Sequence, residues 1–392
     1  MPDQLRILVV HNRYQQYGGE DSVVEAEIGL LRAAGHDVTF LAADNEHITG
    51  VVAKAKTAAL TIYNPYARDR LKRVLAEARP DVVHVHNMFP TLSASIFDAC
   101  REAGVPAVWT LHNFRVACAN AFLFRDGKPC EDCLEKSALH AVLHRCYRNS
   151  LFGSMTLAAS IGYHQAAGTW RNKVTRFVAL TDFSRQKLLA AGLPVERVTV
   201  KPNFVPDPLA GGQVGLQPAE AALFIGRLSV EKGVKTLVEA WREVDAPLRI
   251  VGDGPEGAML REMAPPHVQF LGRRSREEVF AEIAQAAFVV VPSLWYENFP
   301  MTVVEVMAMG KPILASDIGA LREIVTSEIE GAHFAPGDPA ALAAAARAML
   351  ANPDRLQTMG ANARRRYLRD LSPERNLEML VAIYRDAMRE AT

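Results

Sequence analysis

Short runs of valine, isoleucine and leucine alternate with helical patterns along almost the whole chain. This alternation is typical of parallel strands joined by crossover helices, and no other feature of the sequence constrains the fold as strongly. In the first half, the predicted strands are Arg6–His11, Val38–Ala42, Val82–His86, Ala107–His112, Phe177–Thr181 and Val198–Lys201. In the second half, they are Ala222–Ile225, Leu248–Val251, Val268–Leu271, Phe288–Pro292, Pro312–Ala315 and Ala332–Ala335. The sequence therefore predicts an α/β protein with two doubly wound, Rossmann-like sheets.

The length of the chain also favours two domains. A chain of 392 residues is too long for one ordinary hydrophobic core, and two domains imply a cleft between them. The segment Pro202–Pro218 holds four prolines and three glycines, which is typical of a linker. We therefore predict an N-terminal domain over residues 1–205 and a C-terminal domain over residues 206–372.

The charge and hydropathy of the chain exclude several classes of partner. Lysines plus arginines and aspartates plus glutamates both number 44, so no global field attracts nucleic acid. The apolar run in Met1–Val10 is too short for a signal peptide, and the apolar stretch Leu151–Trp170 is interrupted by polar residues. We therefore expect a cytoplasmic protein that binds charged ligands through local groups.

Ligands of open parallel sheets bind beyond the carboxyl ends of the strands. Here those ends carry glycine, histidine, arginine and glutamate. The segments concerned are His11–Glu20, His84–Asn87, His112–Phe114, Gly226–Gly233, Gly252–Gly254, Gly272–Arg274 and Ser293–Glu305.

The richest of these segments contains Glu297 and Glu305. Pro300 suits the first position of a helix, whose free N–H groups could bind phosphate. Glu297 would lie in the entry loop and Glu305 inside the helix, so the two carboxylates could reach different hydroxyl groups of one ligand. Taken alone, the segment fits equally well a solvated glutamate near a helix start and a glutamate bound to a core lysine.

Two further segments carry groups suited to phosphate. Arg227 and Lys232 follow a strand and could hold a diphosphate, although such residues are also common surface charges. Gly18 and Gly19 lie between the first strand and a helix predicted from about Ser22 to Ala34, where they permit close backbone contact. That loop lacks the Gly-x-Gly-x-x-Gly spacing, which counts against a nicotinamide enzyme.

His112, at the end of its predicted strand, would face the cleft or serve as a structural histidine. The sequence contains no Asp-x-Asp pair, which usually holds a metal against a nucleotide diphosphate. Charge neutralisation would then fall to Arg227, Lys232 and helix dipoles, so we expect no catalytic metal.

With these residues in order, the chain resembles the large retaining glycosyltransferase family four, which has two facing Rossmann-like domains around a central cleft (the GT-B architecture). The most specific likeness is the Glu297-to-Glu305 spacing, followed by Ala308–Pro312 and Gly319–Val325. Two positions depart from the family pattern: Phe204 and Ala320 stand where glycine is common. These departures concern local loop shape.

The resemblance implies roles for individual residues. Glu297 would contact the donor sugar, Glu305 the ribose, and Arg227 and Lys232 the diphosphate, while His112 would face the transferred sugar. The implied catalytic residues are His112, Glu297, Arg227 and Lys232. The implied donor-binding residues are Gly18, Gly19, Arg227, Lys232, Gly252, Gly272, Arg273, Glu297, Asn298, Phe299, Pro300 and Glu305. The implied acceptor-side residues are Glu20, His112 and Asn113.

The resemblance also implies a retaining transfer from a UDP- or GDP-linked sugar to a glycan or lipid-linked acceptor. By the same likeness, the C-terminal segment 373–392 would form a helix that crosses back to the first domain. Two alternatives stay open: a sugar-nucleotide epimerase of the same architecture, and a non-catalytic two-lobed sugar-binding protein. An epimerase would need no acceptor, and two-lobed binding proteins are normally exported.

Four of the five cysteines fall within residues 113–148, a segment too long for an ordinary strand-to-helix loop. They are Cys118, Cys130, Cys133 and Cys146. In a cytoplasmic protein this pattern favours a structural zinc site, with reduced thiols or a redox pair as alternatives. Cys100 is predicted to be a core residue.

Basic and aromatic residues border this insertion, among them Arg145, Tyr147, Arg148, Phe152 and Trp170. They could rest on anionic lipid at the inner face of the cytoplasmic membrane, or they could form a solvated helix face beside the acceptor cleft.

Overall fold

The structure, a computed structural model, describes residues 4–13, 18–43, 57–210 and 221–391. Tyr17 and residues 211–218 of the predicted linker lie outside these ranges. The chain divides into two compact units. The first comprises residues 1–123, 130–203 and 376–392, and the second comprises residues 124–129 and 204–375.

The first unit contains a parallel sheet of six strands. The strands are β1 (Arg6–Asn12), β2 (Asp37–Ala43), β3 (Val82–Asn87), β4 (Ala107–Thr110), β7 (Arg176–Ala179) and β8 (Val198–Val200), in the order β2-β1-β3-β4-β7-β8. Residues 7–12 of β1 and all of β3 are buried, as expected for parallel strands covered by helices on both faces.

Helices connect these strands. They are α1 (Gly19–Ala33), α2 (Pro65–Ala78), α3 (Ile96–Glu102), α6 (Leu151–Ala166), α7 (Thr169–Lys173) and α8 (Asp182–Ala190), and residues 57–62 are also helical. Between β4 and α6 the chain forms only short pieces: α4 (Asp132–Glu135), α5 (Leu139–Leu143) and the hairpin of β5 (Phe124–Arg125) and β6 (Lys128–Pro129). The hairpin is assigned to the second unit.

The second unit has its own parallel sheet of six strands. The strands are β9 (Ala222–Ile225), β10 (Leu248–Val251), β11 (Val268–Gly272), β12 (Phe288–Val291), β13 (Ile313–Ser316) and β14 (Gly331–Phe334), in the order β11-β10-β9-β12-β13-β14. Its helices are α9 (Val234–Ala240), α10 (Gly257–Met263), α11 (Arg276–Ala284), α12 (Met301–Ala308), α13 (Gly319–Ile324), α14 (Pro339–Leu350) and α15 (Pro353–Arg366). The prediction of two doubly wound sheets is confirmed.

The last helix, α16 (Pro373–Ala391), packs on the sheet of the first unit. Its buried residues Leu380, Ile383, Tyr384 and Ala387 repeat at helical spacing and join the core formed by β1, α1 and neighbouring strands. The Tyr384 hydroxyl also hydrogen-bonds to Nδ1 of His84 at 2.7 Å, which adds a buried polar contact to this apolar interface.

Several predicted boundaries were wrong by one to three residues, and three of them concern segments predicted to bind ligand. Strand β4 ends at Thr110, so His112 lies two residues beyond it. The last bond to the neighbouring strand is from the Leu111 N–H to the Val178 carbonyl at 3.0 Å. Pro300 is the residue before α12 rather than its first residue, and its extended backbone begins the turn. Helix α1 starts at Gly19, three residues earlier than predicted, because Asp21 caps the N–H of Gly18.

None of the helices in the described ranges combines the length and the apolar character needed to cross a lipid bilayer.

Candidate active site

In the second sheet, the strand order reverses between β9 and β12, and a ligand is expected beyond the carboxyl ends of such a strand pair. Lys232 follows β9 and Glu297 follows β12. Their side chains meet, with Lys232 Nζ 2.7 Å from Oε1 of Glu297. The sequence placed both residues at strand ends, and the fold brings them together at this one reversal.

The carboxylate of Glu297 is held firmly. The residue is 5% exposed, and its Oε1 also accepts a hydrogen bond from Ser293 Oγ at 2.7 Å. Lys232 is more open: its side chain is 27% exposed, and Nζ lies 5.3 Å from the centre of the Trp295 ring. The pair therefore combines a fixed carboxylate with a cation that remains accessible to a ligand.

Two glycines allow the backbone to come close at this point. Gly233 has φ +67°, and a Cβ there would lie 1.9 Å from the carbonyl oxygen of Pro292. Gly252 has φ +135°, and a Cβ there would lie 1.9 Å from the carbonyl oxygen of Gly226. Any side chain at either position would push the loops after β9, β10 and β12 apart.

Helix α12 begins beside Glu297 without a side-chain cap. A helix start of this kind leaves backbone N–H groups that favour an anion. Glu305 lies in the second turn of α12, and no side-chain hydrogen bond or ion pair joins its carboxyl group to another described residue. Burial raises the pKa of Glu305 to about 6, and Arg276 offsets part of that effect. Glu305 is half-buried, so its carboxylate is partly desolvated, and ligand hydroxyls would supply hydrogen-bond donors.

The other predicted residues of this unit lie nearby along the same edge of the sheet. Arg227 is exposed, directly after β9. Gly272 ends β11 with φ +70°. Its carbonyl accepts a 2.8 Å hydrogen bond from the N–H of Gly252, which follows β10. Arg273 is exposed, Asn298 is half-buried, and Phe299 and Pro300 are buried.

One glycine signal was missed. The spacing Gly-x-Gly-x-x-Gly does occur, at Gly252, Gly254 and Gly257. It follows β10 rather than the first strand of its unit, and a Cβ on Gly254 would lie 2.3 Å from the carbonyl oxygen of Leu228. These glycines thus serve loop packing, and the spacing alone does not indicate a nicotinamide site.

In the first sheet, the strand order reverses between β1 and β3. The predicted Gly18 loop lies after β1. The side chain that holds this loop is Asp21, which was not among the predicted site residues. Asp21 accepts the Gly18 N–H at 2.9 Å and lies 2.9 Å from Nε2 of buried His11. Gly19 is exposed and Glu20 half-buried at the start of α1.

Beyond β3 and β4, His112 belongs to a chain of buried groups that sequence reasoning did not connect. His86 Nδ1 lies 3.0 Å from His112 Nε2, and the two rings stack with centres 5.3 Å apart. His86 Nε2 in turn lies 3.3 Å from Glu27, although the two are not aligned as a full hydrogen bond. Histidines and acids separated widely in sequence gave no periodic signal that could have linked them.

Both histidines are neutral at physiological pH. Burial and the adjacent His84 lower the pKa of His86 to about 3, and burial and His86 hold the pKa of His112 well below its ordinary value. Because the Glu27 carboxylate faces Nε2 of His86, we infer that this nitrogen carries the proton. His86 Nδ1 then accepts from His112 Nε2–H, which leaves Nδ1 of His112 with a free lone pair.

Glu27 is fully enclosed but charged. Burial would raise its pKa, yet Lys201 and the neighbouring histidines outweigh burial and hold that pKa well below its usual range. Lys201 Nζ lies 3.1 Å from Glu27 and 3.1 Å from Oδ1 of Asn376 in α16. Glu27, His84 and His86 could ligate a metal by distance alone, but the Lys201 ammonium already neutralises the carboxylate.

A cavity of about 80 Å³ opens beside His112 within the first unit. Its lining is mainly apolar, and Asn113, Arg115 and Val116 of the insertion form part of its wall. The other residues that shape it include Phe89, Trp109, Ile161 and His164. The cavity therefore joins the predicted acceptor-side residues His112 and Asn113 to an apolar surface.

The insertion cysteines all lie in the first unit, and none of them is in a disulfide. Cys118 is buried, while Cys130, Cys133 and Cys146 are half-buried. Cys100 is buried in α3, as predicted.

Two family models match the sequence in succession. The model described as Glycosyltransferase Family 4 matches residues 17–207, and the model described as Glycosyl transferases group 1 matches residues 216–366. The phosphatidyl-myo-inositol mannosyltransferase of Mycobacterium leprae (strain TN) is 28% identical over 384 residues, covering 89% of this chain and 89% of that protein.

Solved structures with the same fold include two that match almost end to end. Sucrose-phosphate synthase from Thermosynechococcus elongatus has a TM-score of 0.72 at 19% identity, with 98% of this chain and 100% of that chain covered. The Anabaena protein HepE in complex with UDP has a TM-score of 0.67 at 17% identity, with 96% and 99% covered.

Proposed function

Because this chain is a family-four glycosyltransferase of GT-B fold, we propose that it transfers a sugar from a nucleoside-diphosphate sugar to a glycan or lipid-linked acceptor, with retention of the anomeric configuration. Synthesis of a bacterial surface polysaccharide or glycolipid is the context we propose. The M. leprae relative, named for mannosyl transfer to a phosphoinositide, supports a lipid-linked acceptor.

The observation that carries the proposal is the contact between Lys232 and Glu297 at the strand reversal of the second sheet. Lys232, Arg227 and the uncapped start of α12 would bind the diphosphate through charge and backbone N–H groups. Glu297 would accept hydroxyl groups of the donor sugar, and Glu305 those of the ribose. A bound diphosphate would share Lys232 with Glu297, freeing a lone pair on that carboxylate for the sugar.

The nucleotide is UDP or GDP in this proposal. HepE binds UDP, and its close structural likeness over nearly the full chain favours UDP as the first donor to examine. The acceptor would enter beside His112, whose free Nδ1 lone pair could accept a hydroxyl proton in a hydrogen bond. No residue acts as the general base, since the leaving diphosphate takes the acceptor proton in the retaining mechanism implied by the family.

A transfer assay with a panel of UDP- and GDP-sugars and a lipid extract tests this proposal. We expect radiolabel to pass to an acceptor, with the product anomer matching the donor by NMR. Glu297→Ala should lower the transfer rate by at least about 100-fold, the scale of losing one pre-positioned transition-state contact. Full activity in Glu297→Ala, or an inverted product, would refute the site or the stereochemistry.

The same assay separates the two alternatives. An epimerase would release a modified free sugar nucleotide without acceptor, and a binding protein would return the donor unchanged. Either result would exclude transfer as the function.

We also propose that the insertion and α6 rest on anionic membrane. Six large apolar side chains in residues 122–155 are 44% to 74% exposed: Phe122, Leu139, Leu143, Leu151, Phe152 and Met155. Exposed Arg145 and Arg148 lie among them in sequence. Apolar groups flanked by arginines suit insertion at a lipid headgroup boundary, at the inner face of the cytoplasmic membrane.

Co-sedimentation with phosphatidylglycerol vesicles tests this contact. We expect binding at low salt that weakens in Leu143→Glu plus Phe152→Glu, while Leu368→Glu, at a similarly exposed site of the second unit, binds like the wild type. Equal binding by all three proteins, or none by the wild type, would reject the membrane contact.

A further inference from the structure

The insertion contains little that would hold it folded. Its helices α4 and α5 have four and five residues, and its local core consists of Ala119, Ala141 and Leu157. Of the nine described non-glycine residues with φ between 44° and 70°, four lie in residues 113–123 and 130–148. Each such residue costs about 1–3 kcal/mol and persists where the surroundings fix it. A cross-link would supply that constraint.

Four cysteines converge within this segment. Cys133 and Cys146 pack against the same three core residues, one of which, Ala119, is the neighbour of Cys118. The Cys130 N–H donates to the Leu123 carbonyl at 2.8 Å, which brings Cys130 to the end of the loop that Cys118 begins.

The loop after Cys118 is closed by local hydrogen bonds. The Ala121 N–H donates to the Cys118 carbonyl at 2.9 Å, and the Phe122 N–H donates to Oδ1 of Asn120 at 3.0 Å. These bonds hold the backbone of Cys118 in place next to Ala119 of the local core.

We propose that Cys118, Cys130, Cys133 and Cys146 bind one structural Zn²⁺ ion. Four thiolates in tetrahedral arrangement are a standard zinc site, and Cys130 and Cys133, two residues apart, supply a ligand pair from one turn. Zinc binding displaces the thiol protons to solvent and involves no change of oxidation state.

Closing the site requires side-chain rotation. Among the described residues, no three of these sulfurs lie within 4.8 Å of one another. Two of the thiols turn to neighbouring side chains instead: Cys118 to Asn120 at 2.9 Å and Cys130 to Asp132 at 3.6 Å. Both bonds are local and weak, so χ1 rotation would free these sulfurs for a metal.

A second group in the insertion is a poorer metal site. Asp132, His140 and His144 have ligand atoms within 4.8 Å of one another. However, Lys136 Nζ already lies 2.8 Å from Asp132, and His144 is exposed. Zinc with thiolates available prefers sulfur, which favours the cysteines.

The metal would also shape the cavity beside His112. Arg115 donates to the Ala119 carbonyl at 3.2 Å and lies 4.0 Å from the centre of the Phe89 ring, and both residues line that cavity. Fixing Cys118 would therefore fix the loop that positions Arg115. This consequence rests on the proposed function, whereas zinc binding itself does not.

Elemental analysis of the full chain, purified under reducing conditions, tests the site. We expect about one zinc per chain, at least tenfold less in Cys133→Ser, and wild-type content in Cys100→Ser and in His140→Ala plus His144→Ala. Replacement of zinc by Co²⁺ should give the thiolate-to-cobalt charge-transfer and tetrahedral d–d bands, a readout that needs no variant to fold.

No zinc in the wild type with freely titratable thiols would overturn the proposal. So would zinc retained in Cys133→Ser, zinc lost from the histidine variant, or a cobalt spectrum without sulfur ligation. Transfer activity does not enter these outcomes, so an inactive chain with four-sulfur zinc would contradict only the proposed function.

Discussion

The two sheets present very different groups at their strand reversals. In the first unit, the reversal is surrounded by a buried polar network: the Glu27 and Lys201 ion pair is enclosed, and His86 and His112 are neutral. In the second unit, Lys232 is partly open, α12 lacks a side-chain cap, and Glu305 has no hydrogen-bond partner among the described residues.

This difference indicates a division of tasks. The first site is pre-organised and presents a neutral imidazole, which suits hydroxyl groups. The second site carries charge and unfilled hydrogen-bonding capacity, which suits a diphosphate with a sugar and a ribose. Stability should therefore depend on the polar network of the first unit, while ligand affinity should depend on that of the second.

The largest expected effect concerns stability. Lys201→Met leaves the Glu27 carboxylate buried without its cation and should destabilise the first unit by about 3–5 kcal/mol. Urea unfolding followed by circular dichroism measures this loss. Adding Glu27→Gln should recover much of it, because both charges are then removed. No loss in Lys201→Met would show that the network of the first unit does not hold its stability.

The next effect concerns catalysis. Lys232→Ala should lower kcat/KM by about 100- to 1,000-fold, because the diphosphate loses the cation that binds it. Lys235→Ala is the matched control, since that lysine lies on the same segment with its side chain 57% exposed. Steady-state kinetics measures both variants. An equal loss in the two would mean that general charge, rather than this lysine, determines activity.

Acidification should weaken the first unit. The folded-state pKa of His86 is about 3, below its ordinary value of 6.5, so the unfolded chain binds more protons below pH 6.5. His86 should therefore cost about 2 kcal/mol of stability between pH 8 and pH 5. Between pH 8 and pH 5, the free energy of unfolding measured in urea should fall by about 2 kcal/mol more in the wild type than in His86→Gln. An NMR titration of His86 near pH 6.5 would contradict this.

Glu305 should behave in the opposite sense. Its folded pKa of about 6 exceeds the ordinary 4.5, so the carboxyl favours the folded state when protonated and loses that advantage as the pH rises through 6. Glu305→Gln should be about 2 kcal/mol more stable than the wild type at pH 8. At pH 5 its advantage should shrink to about 1 kcal/mol. A variant no more stable at pH 8 would indicate that Glu305 has a partner.

The sequence predicted the sheets well because each strand is a continuous apolar run, and strands such as Ala222–Ile225 and Leu248–Val251 were predicted to the residue. Boundaries shifted where a single side chain decides them, as at Gly19, where Asp21 caps the loop. Such caps depend on geometry that residue type alone does not fix.

The charged residues of the second unit could be found because each follows a predicted strand. The network of Glu27, Lys201, His86 and Asn376 could not, since its members are buried and far apart in sequence. They meet only after α1, β3, β8 and α16 assemble, and no local pattern in the sequence indicates that assembly.

The central claim is that the strand reversal of the second unit binds a nucleoside-diphosphate sugar. A measurement of donor binding tests this claim most directly. Isothermal titration calorimetry with UDP-glucose and GDP-mannose should show one site per chain for at least one donor. Affinity should fall at least tenfold in Lys232→Ala and stay unchanged in Lys235→Ala. Undiminished binding of that donor to Lys232→Ala, or no binding of a UDP- or GDP-sugar panel to the wild type, would contradict it.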